Sequence, residues 1–363
     1  MKKNSLKRWM MISIIVSFAM ILICPEICVA EDAYTFFNIG TNYLREGKWD
    51  KAIVELNNAI TFLKNSSPKP DNYKQRLAEA YNNLGLAYYE KKEYSTAQLK
   101  FSEASLNNPS DTKILSNYAL SFFVQGDYSS AKDWYVKAID QSEGDEPHLA
   151  DVYNNLGVCY ANQTSPDFAK AEENYNNAIH ITEEKNLDYT DAYYNRGNLF
   201  YNQGDDLNWQ GKKSEAIIKF DQAISDYTVT INYYKNAKDL EDFPDAYHNA
   251  YYNRGLCTYN KGQYNEAIPD YEEAIKLNPG YMWAYYAKGY AHFMMAEYDK
   301  AFQEFEKVLD SELNSYARYG MGVVFAEKGQ YEKALSYLNE SCDLGNAWAC
   351  DTLKDNYEEL KGL

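Results

Sequence analysis

The stretch Tyr252–Pro279 reads YNRGLCTYNKGQYNEAIPDYEEAIKLNP. Its glycines, alanines and aromatic residues fall at offsets that recur through the chain. Gly255 and Gly289 are 34 residues apart, as are Gly85 and Ala119, and Gly289 and Gly322 are 33 apart. Around each of these small residues the pattern is the same. An aromatic or apolar residue lies four before it, a turn glycine seven after it, and an aromatic two further on. Alanine, an apolar residue and alanine follow at offsets 12, 16 and 19. In the quoted copy these are Tyr251, Gly255, Gly262, Tyr264, Ala267, Tyr271 and Ala274, with Pro279 closing. Such spacing describes two amphipathic helices joined by a short turn. The turn glycine suits a helix C-cap with positive φ, and the closing proline stops the second helix.

Each copy is numbered here so that the small residue of its first helix is position 8. Eight copies then begin near Ala33, Ala78, Thr112, Ala150, Thr190, His248, Met282 and Ser315. The arrangement resembles the tetratricopeptide repeat (TPR) family, whose period is 34 residues. That resemblance implies an all-α, right-handed superhelical solenoid, in which each hairpin buries its apolar face only against its neighbours. The expected organisation is a leader over 1–30, a solenoid over 31–345 and a C-terminal capping helix over 346–363. Departures from the repeat lie near 65–75, 161–168, 203–214 and 225–247 and are expected as surface loops or extended helices. Trp209, inside one of them, is expected to pack back on the array.

The leader combines the basic MKKNSLKR, the apolar WMMISIIVSFAMILI and CVA before Glu31. It reads as a secretory signal peptide cleaved after Ala30. Its apolar run is short for a span of about 20 residues, so no membrane span is expected after cleavage. A lipid-anchor reading on Cys24 is poorly supported, because the bulky Ile23 stands where a small residue is wanted. Removing residues 1–30, with Lys2, Lys3, Lys7 and Arg8 against Glu26, takes the net charge from −17 to −20. So acidic a surface repels nucleic acid and other polyanions. Periplasmic or secreted localisation follows as an expectation.

The segment YLNESCDLGNAWACDTL is similar to cysteine-rich TPR relatives of secreted bacterial proteins, which pair cysteines eight positions apart across adjoining helices. The resemblance implies a Cys342–Cys350 disulfide. Cys159 and Cys257, each at position 10 of a first helix, read as small buried apolar residues.

The sequence contains no metal-ligand cluster, phosphate loop or nucleophile signature, and no cofactor or metal is expected. The four histidines are scattered. Two lines of residues lie opposite the core face of the first helices. Position 6 carries Asn38, Asn83, Asn117, Asn155, Asn195 and Asn253, then Ala287 and Gly320. An asparagine amide both donates and accepts, so a row of them can grip an extended backbone. The row is similar to the asparagine ladder of O-GlcNAc transferases. Asparagine at this position is also common across the family. Positions 5 and 12 carry Tyr194, Tyr201, Tyr252, Tyr259, Tyr286 and Phe293, with Tyr319 continuing the line. These aromatics supply apolar area with a polar tip, unless inserted segments cover them. The lysine-and-asparagine clamp of chaperone-binding TPR domains is missing; of its asparagines only Asn198 is present. The residues thus predict a non-catalytic scaffold whose concave groove holds an extended polypeptide. Two alternatives remain: binding of a neutral polysaccharide, and a subunit that assembles a secretion complex.

Overall fold

The computed structural model describes residues 25–142, 147–187, 190–236 and 245–360. Most of the leader, residues 1–24, lies outside them. All regular elements among the described residues are α-helices. The chain divides into two compact units, Met1–Leu187 and Asp188–Leu363. In the first, α1 (Pro25–Arg45) pairs with α2 (Trp49–Asn65), α3 (Tyr73–Glu90) with α4 (Tyr94–Asn107), α5 (Thr112–Phe123) with α6 (Tyr128–Asp140), and α7 (Leu149–Ala161) with α8 (Phe168–Lys185). In the second, α9 (Asp191–Trp209) pairs with α10 (Lys213–Asn236), α11 (Asp245–Asn260) with α12 (Tyr264–Leu277), α13 (Met282–Met294) with α14 (Tyr298–Glu306), and α15 (Asn314–Glu327) with α16 (Tyr331–Asp343). The last helix, α17 (Ala347–Leu360), packs on α16. No described helix is long and apolar enough to cross a membrane.

One contact recurs inside the hairpins. The glycine at position 8 faces a large side chain on the second helix. A Cβ added at Gly85 would lie 2.6 Å from Phe101 ring carbons, one at Gly255 2.7 Å from Tyr271, and one at Gly289 2.7 Å from Phe305. Leu56 and Leu338 fill the same place against Gly40 and Gly322. Phe101, Tyr271 and Phe305 are fully buried. The missing side chain therefore lets the two backbones close around a ring, which is how so polar a sequence builds a buried core in its hairpins. Alanines complete the contact. Ala97, Ala104, Ala267 and Ala274 have no exposed surface.

The fifth hairpin accommodates its extra residues as helix. It has two such contacts, Gly204 against Phe220 and Gly197 against Tyr227. Gly204 and Phe220 keep the usual 16-residue spacing, while Gly197 and Tyr227 each lie seven residues further from the turn. The insertion thus adds about two turns to each helix and repeats the ring layer. Trp209 corrects the expectation. It ends α9, past the Gly204–Phe220 layer in sequence, and is 85% exposed. It stands five residues past Gly204, at the turn end of the helix.

Two arginines just before position-8 glycines add buried charge pairs. Arg196 donates to both carboxylate oxygens of Asp226 at 2.8 and 2.7 Å. Arg254 does the same to Asp270 at 2.9 and 2.6 Å. Bidentate geometry fixes the register of helix against helix. Cys159 and Cys257 are buried free thiols, and burial pushes the Cys159 thiol up to about 12.

If the glycine contact sets the helix approach, Gly85→Ala forces Phe101 or the backbone to move. The expected loss is about 1–3 kcal/mol, the usual cost of overpacking, read from denaturant unfolding at unchanged helix content.

Candidate functional site

The asparagine row is engaged within the chain. In the first unit, Asn83 Nδ2 donates to Thr41 Oγ1 at 3.1 Å and Asn117 Nδ2 to Asn82 Oδ1 at 2.9 Å. Both bonds join a first helix to the first helix before it. Asn155 Nδ2 donates to the Tyr135 hydroxyl at 3.3 Å. In the second unit, Asn253 Nδ2 lies 3.3 Å from the Tyr194 hydroxyl and 3.1 Å from Asn198 Oδ1. Asn198 also accepts from the Tyr227 hydroxyl at 2.8 Å. Asn38 and Asn195 are half-buried on α1 and α9. The amides of Asn83, Asn117, Asn155 and Asn253 thus work as bridges between successive hairpins.

The aromatic row sits half-buried over the rings of the second helices. Tyr194 lies 5.9 Å from Tyr227, Tyr201 6.1 Å from Phe220, Tyr252 6.1 Å from Tyr271 and Tyr286 5.7 Å from Phe305, centroid to centroid. These separations suit tilted aromatic pairs. Phe293 packs with Tyr290 and Tyr298.

Three members of the row converge. Tyr252 and Tyr259 of α11 and Tyr286 of α13 line a cavity of about 350 Å³, at the small end of ligand pockets. Tyr252, Leu256 and Tyr259 share one helix face by their spacing, as do Trp283, Ala287 and Tyr290. Tyr319 of α15 also contributes. Sequence reasoning missed Tyr271, Tyr290, Trp283 and Trp348. Tyr271 was assigned to the core; Trp348 belongs to the capping helix, outside any repeat position. One signal was available. The asparagine row stops at Ala287, whose methyl group leaves room where an amide would stand.

The mouth and the walls differ. Trp283 and Trp348 are 38% and 58% exposed, whereas Tyr271 is wholly buried. The Tyr271 hydroxyl is buried with no hydrogen-bond partner. Burial pushes Tyr259 and Tyr286 up to about 12 and raises Tyr252, Tyr271 and Tyr290 as well. The pocket therefore presents neutral phenols. Trp348 is held by the C-terminal crosslink: Cys342 of α16 and Cys350 of α17 form a disulfide with Cα atoms 4.9 Å apart.

Two expectations follow. A crosslink closing so short a loop stabilises by about 2–3 kcal/mol; Cys342→Ser with Cys350→Ser should lose that much in denaturant unfolding. The raised tyrosines bind protons more tightly folded than unfolded. Their stabilisation is complete below about pH 10, the unfolded value, and is lost as pH rises through about 12. Alkaline titration should show helix loss coinciding with late tyrosinate absorbance, rather than free titration near pH 10.

Tetratricopeptide-repeat family models match residues 82–146, 248–281 and 270–303. BBSome complex member BBS4 of Bos taurus is 26% identical over 199 residues, covering 46% of this chain and 36% of that protein. Photosystem I assembly protein Ycf3 of Rippkaea orientalis is 30% identical over 94 residues, 26% of this chain and 37% of that one. The chain thus spans about a third of the length of these curated relatives. A crystal structure of a tetratricopeptide repeat protein from Parabacteroides merdae aligns with a TM-score of 0.37 at 14% identity, covering 91% of this chain and 97% of that one. With family matches falling in both units, the chain is a tetratricopeptide-repeat protein.

Proposed function

We propose that this protein is a non-catalytic interaction scaffold that holds an extended polypeptide outside the cytoplasm. The repeat family supports a protein-binding scaffold in general. The observation that carries the finer reading is the aromatic pocket between α11 and α17, open at Trp283 and Trp348. Such a pocket receives one anchoring side chain, and the tyrosine row gives the neighbouring residues apolar area with polar tips. The half-buried asparagine amides offer modest contacts to a backbone, each worth about 1 kcal/mol. The pocket's polar groups are few: tyrosine hydroxyls and indole N–H groups, with no amide or carboxylate in its lining. A neutral polysaccharide would leave many hydroxyls unsatisfied there, so the polypeptide is favoured.

Export is supported by the leader composition and by the Cys342–Cys350 disulfide, a bond that persists in oxidising compartments. The names of two relatives, a complex member and an assembly protein, are in keeping with a role in assembling other proteins.

A random peptide library and a neutral glycan array, each probed with the exported protein, test the reading. Peptides are expected to bind, with at least about a tenfold loss in Tyr252→Ala and Tyr286→Ala. Binding confined to glycans, or peptide binding indifferent to both substitutions, would overturn it.

A further inference from the structure

The pocket's chemistry narrows the anchor. Four observations bear on it. First, eight of its ten lining residues are aromatic, and aromatic rings carry negative electrostatic potential on their faces. Second, residues 188–363 hold 29 Asp and Glu against 17 Lys and Arg, so the surrounding field attracts cations. Third, the unit's own cations cover other rings. Arg254 lies 5.5 Å from the Tyr251 centroid and Lys307 5.5 Å from that of Tyr285. Among the described residues, no lysine or arginine lies over a ring of the pocket, and none lines it. Fourth, the Tyr271 hydroxyl is buried in the wall without a partner.

An apolar anchor would fill the volume and leave that hydroxyl unsatisfied. An acidic anchor would enter a negative field and meet ring faces that repel it. A long side chain with an apolar stem and a hydrogen-bond-donating cationic tip meets all four conditions. We propose that the pocket is an aromatic cage for a lysine or arginine side chain of the polypeptide partner. The stem packs between Trp283 and Trp348 at the mouth, the cation lies over Tyr286 and its neighbours, and a tip N–H donates to the Tyr271 oxygen. Cation–π contacts of this kind strengthen as water is excluded. The inference rests on the polypeptide reading above and assigns the class of side chain recognised.

The test uses a random decapeptide library displayed on beads and the exported full chain. Arginine or lysine should be enriched at one position of the selected peptides. The best peptide is then resynthesised with arginine, lysine, citrulline, leucine or glutamate at that position. Citrulline keeps the shape of arginine without its charge; citrulline, leucine and glutamate should each weaken binding about tenfold or more. Tyr271→Phe should weaken the cationic peptide about tenfold without lowering the melting temperature, because it removes a hydroxyl that has no partner in the free protein. Trp348→Ala should weaken it too. Enrichment of leucine or phenylalanine, a tolerated citrulline, or full affinity in Tyr271→Phe would overturn the cationic cage and leave the polypeptide reading standing. A library that yields no binding peptide would overturn both.

Discussion

A glycine facing a ring is the constraint on which the rest of this structure depends. A methyl group at Gly85, Gly157, Gly255 or Gly289 would sit under 3 Å from the side chain opposite. The helices therefore approach closely where one of them has no side chain, or, in the third hairpin, only the methyl group of Ala119. Once they do, the ring is enclosed on both sides, and small alanines seal the layer above and below. Because most hairpins set a position-8 glycine against a large side chain, with Ala119 standing there in the third and leucines opposite in the first and eighth, the hairpins have similar shapes and can stack. The fifth hairpin tests the rule from inside the molecule. Its extra residues are tolerated because they add a second glycine-and-ring layer, Gly204 with Phe220, instead of disturbing the first.

The same contact explains where the aromatic surface comes from. A ring anchored on the second helix offers its edge to the first helix one turn away, and tyrosines at position 5 settle on it. Tyr194, Tyr252 and Tyr286 each do this in the second unit. Up to the sixth hairpin the adjacent position is an asparagine, and Asn83, Asn117, Asn155 and Asn253 bridge from it to the preceding hairpin. At the seventh it is Ala287, and the bridge gives way to a cavity. Loss of one amide thus turns a packed seam into a site. The crosslinked capping helix then completes it by bringing Trp348 to the mouth.

Much of this was legible in the sequence because it is periodic. The offset of 16 between Gly255 and Tyr271 names both partners of the central contact, and Cys342 and Cys350 were paired through a family resemblance. What was not legible depends on three-dimensional neighbours. Position 6 read as a binding surface, yet Asn83, Asn117 and Asn253 spend hydrogen bonds on adjacent hairpins. Helical periodicity places a side chain on a face but does not say how near the next hairpin comes. Trp209 read as covered because large indoles usually are; its place at the turn end of α9 leaves it exposed. Tyr271 read as plain core, and its orphaned hydroxyl is visible only when every neighbour is in place.

The claim most exposed to measurement is that the cavity under Trp283 and Trp348 is the place where partner chain enters. Fluorine NMR of the full chain labelled with fluorotryptophan reads this directly, with resonances assigned by single Trp→Phe variants. The chain has 6 tryptophans. On titration with a selected peptide, the account predicts saturable shifts confined to Trp283 and Trp348, with Trp49, Trp134 and Trp209 unmoved. Shifts centred on Trp209, or peptide binding that leaves Trp283 and Trp348 unchanged, would contradict it.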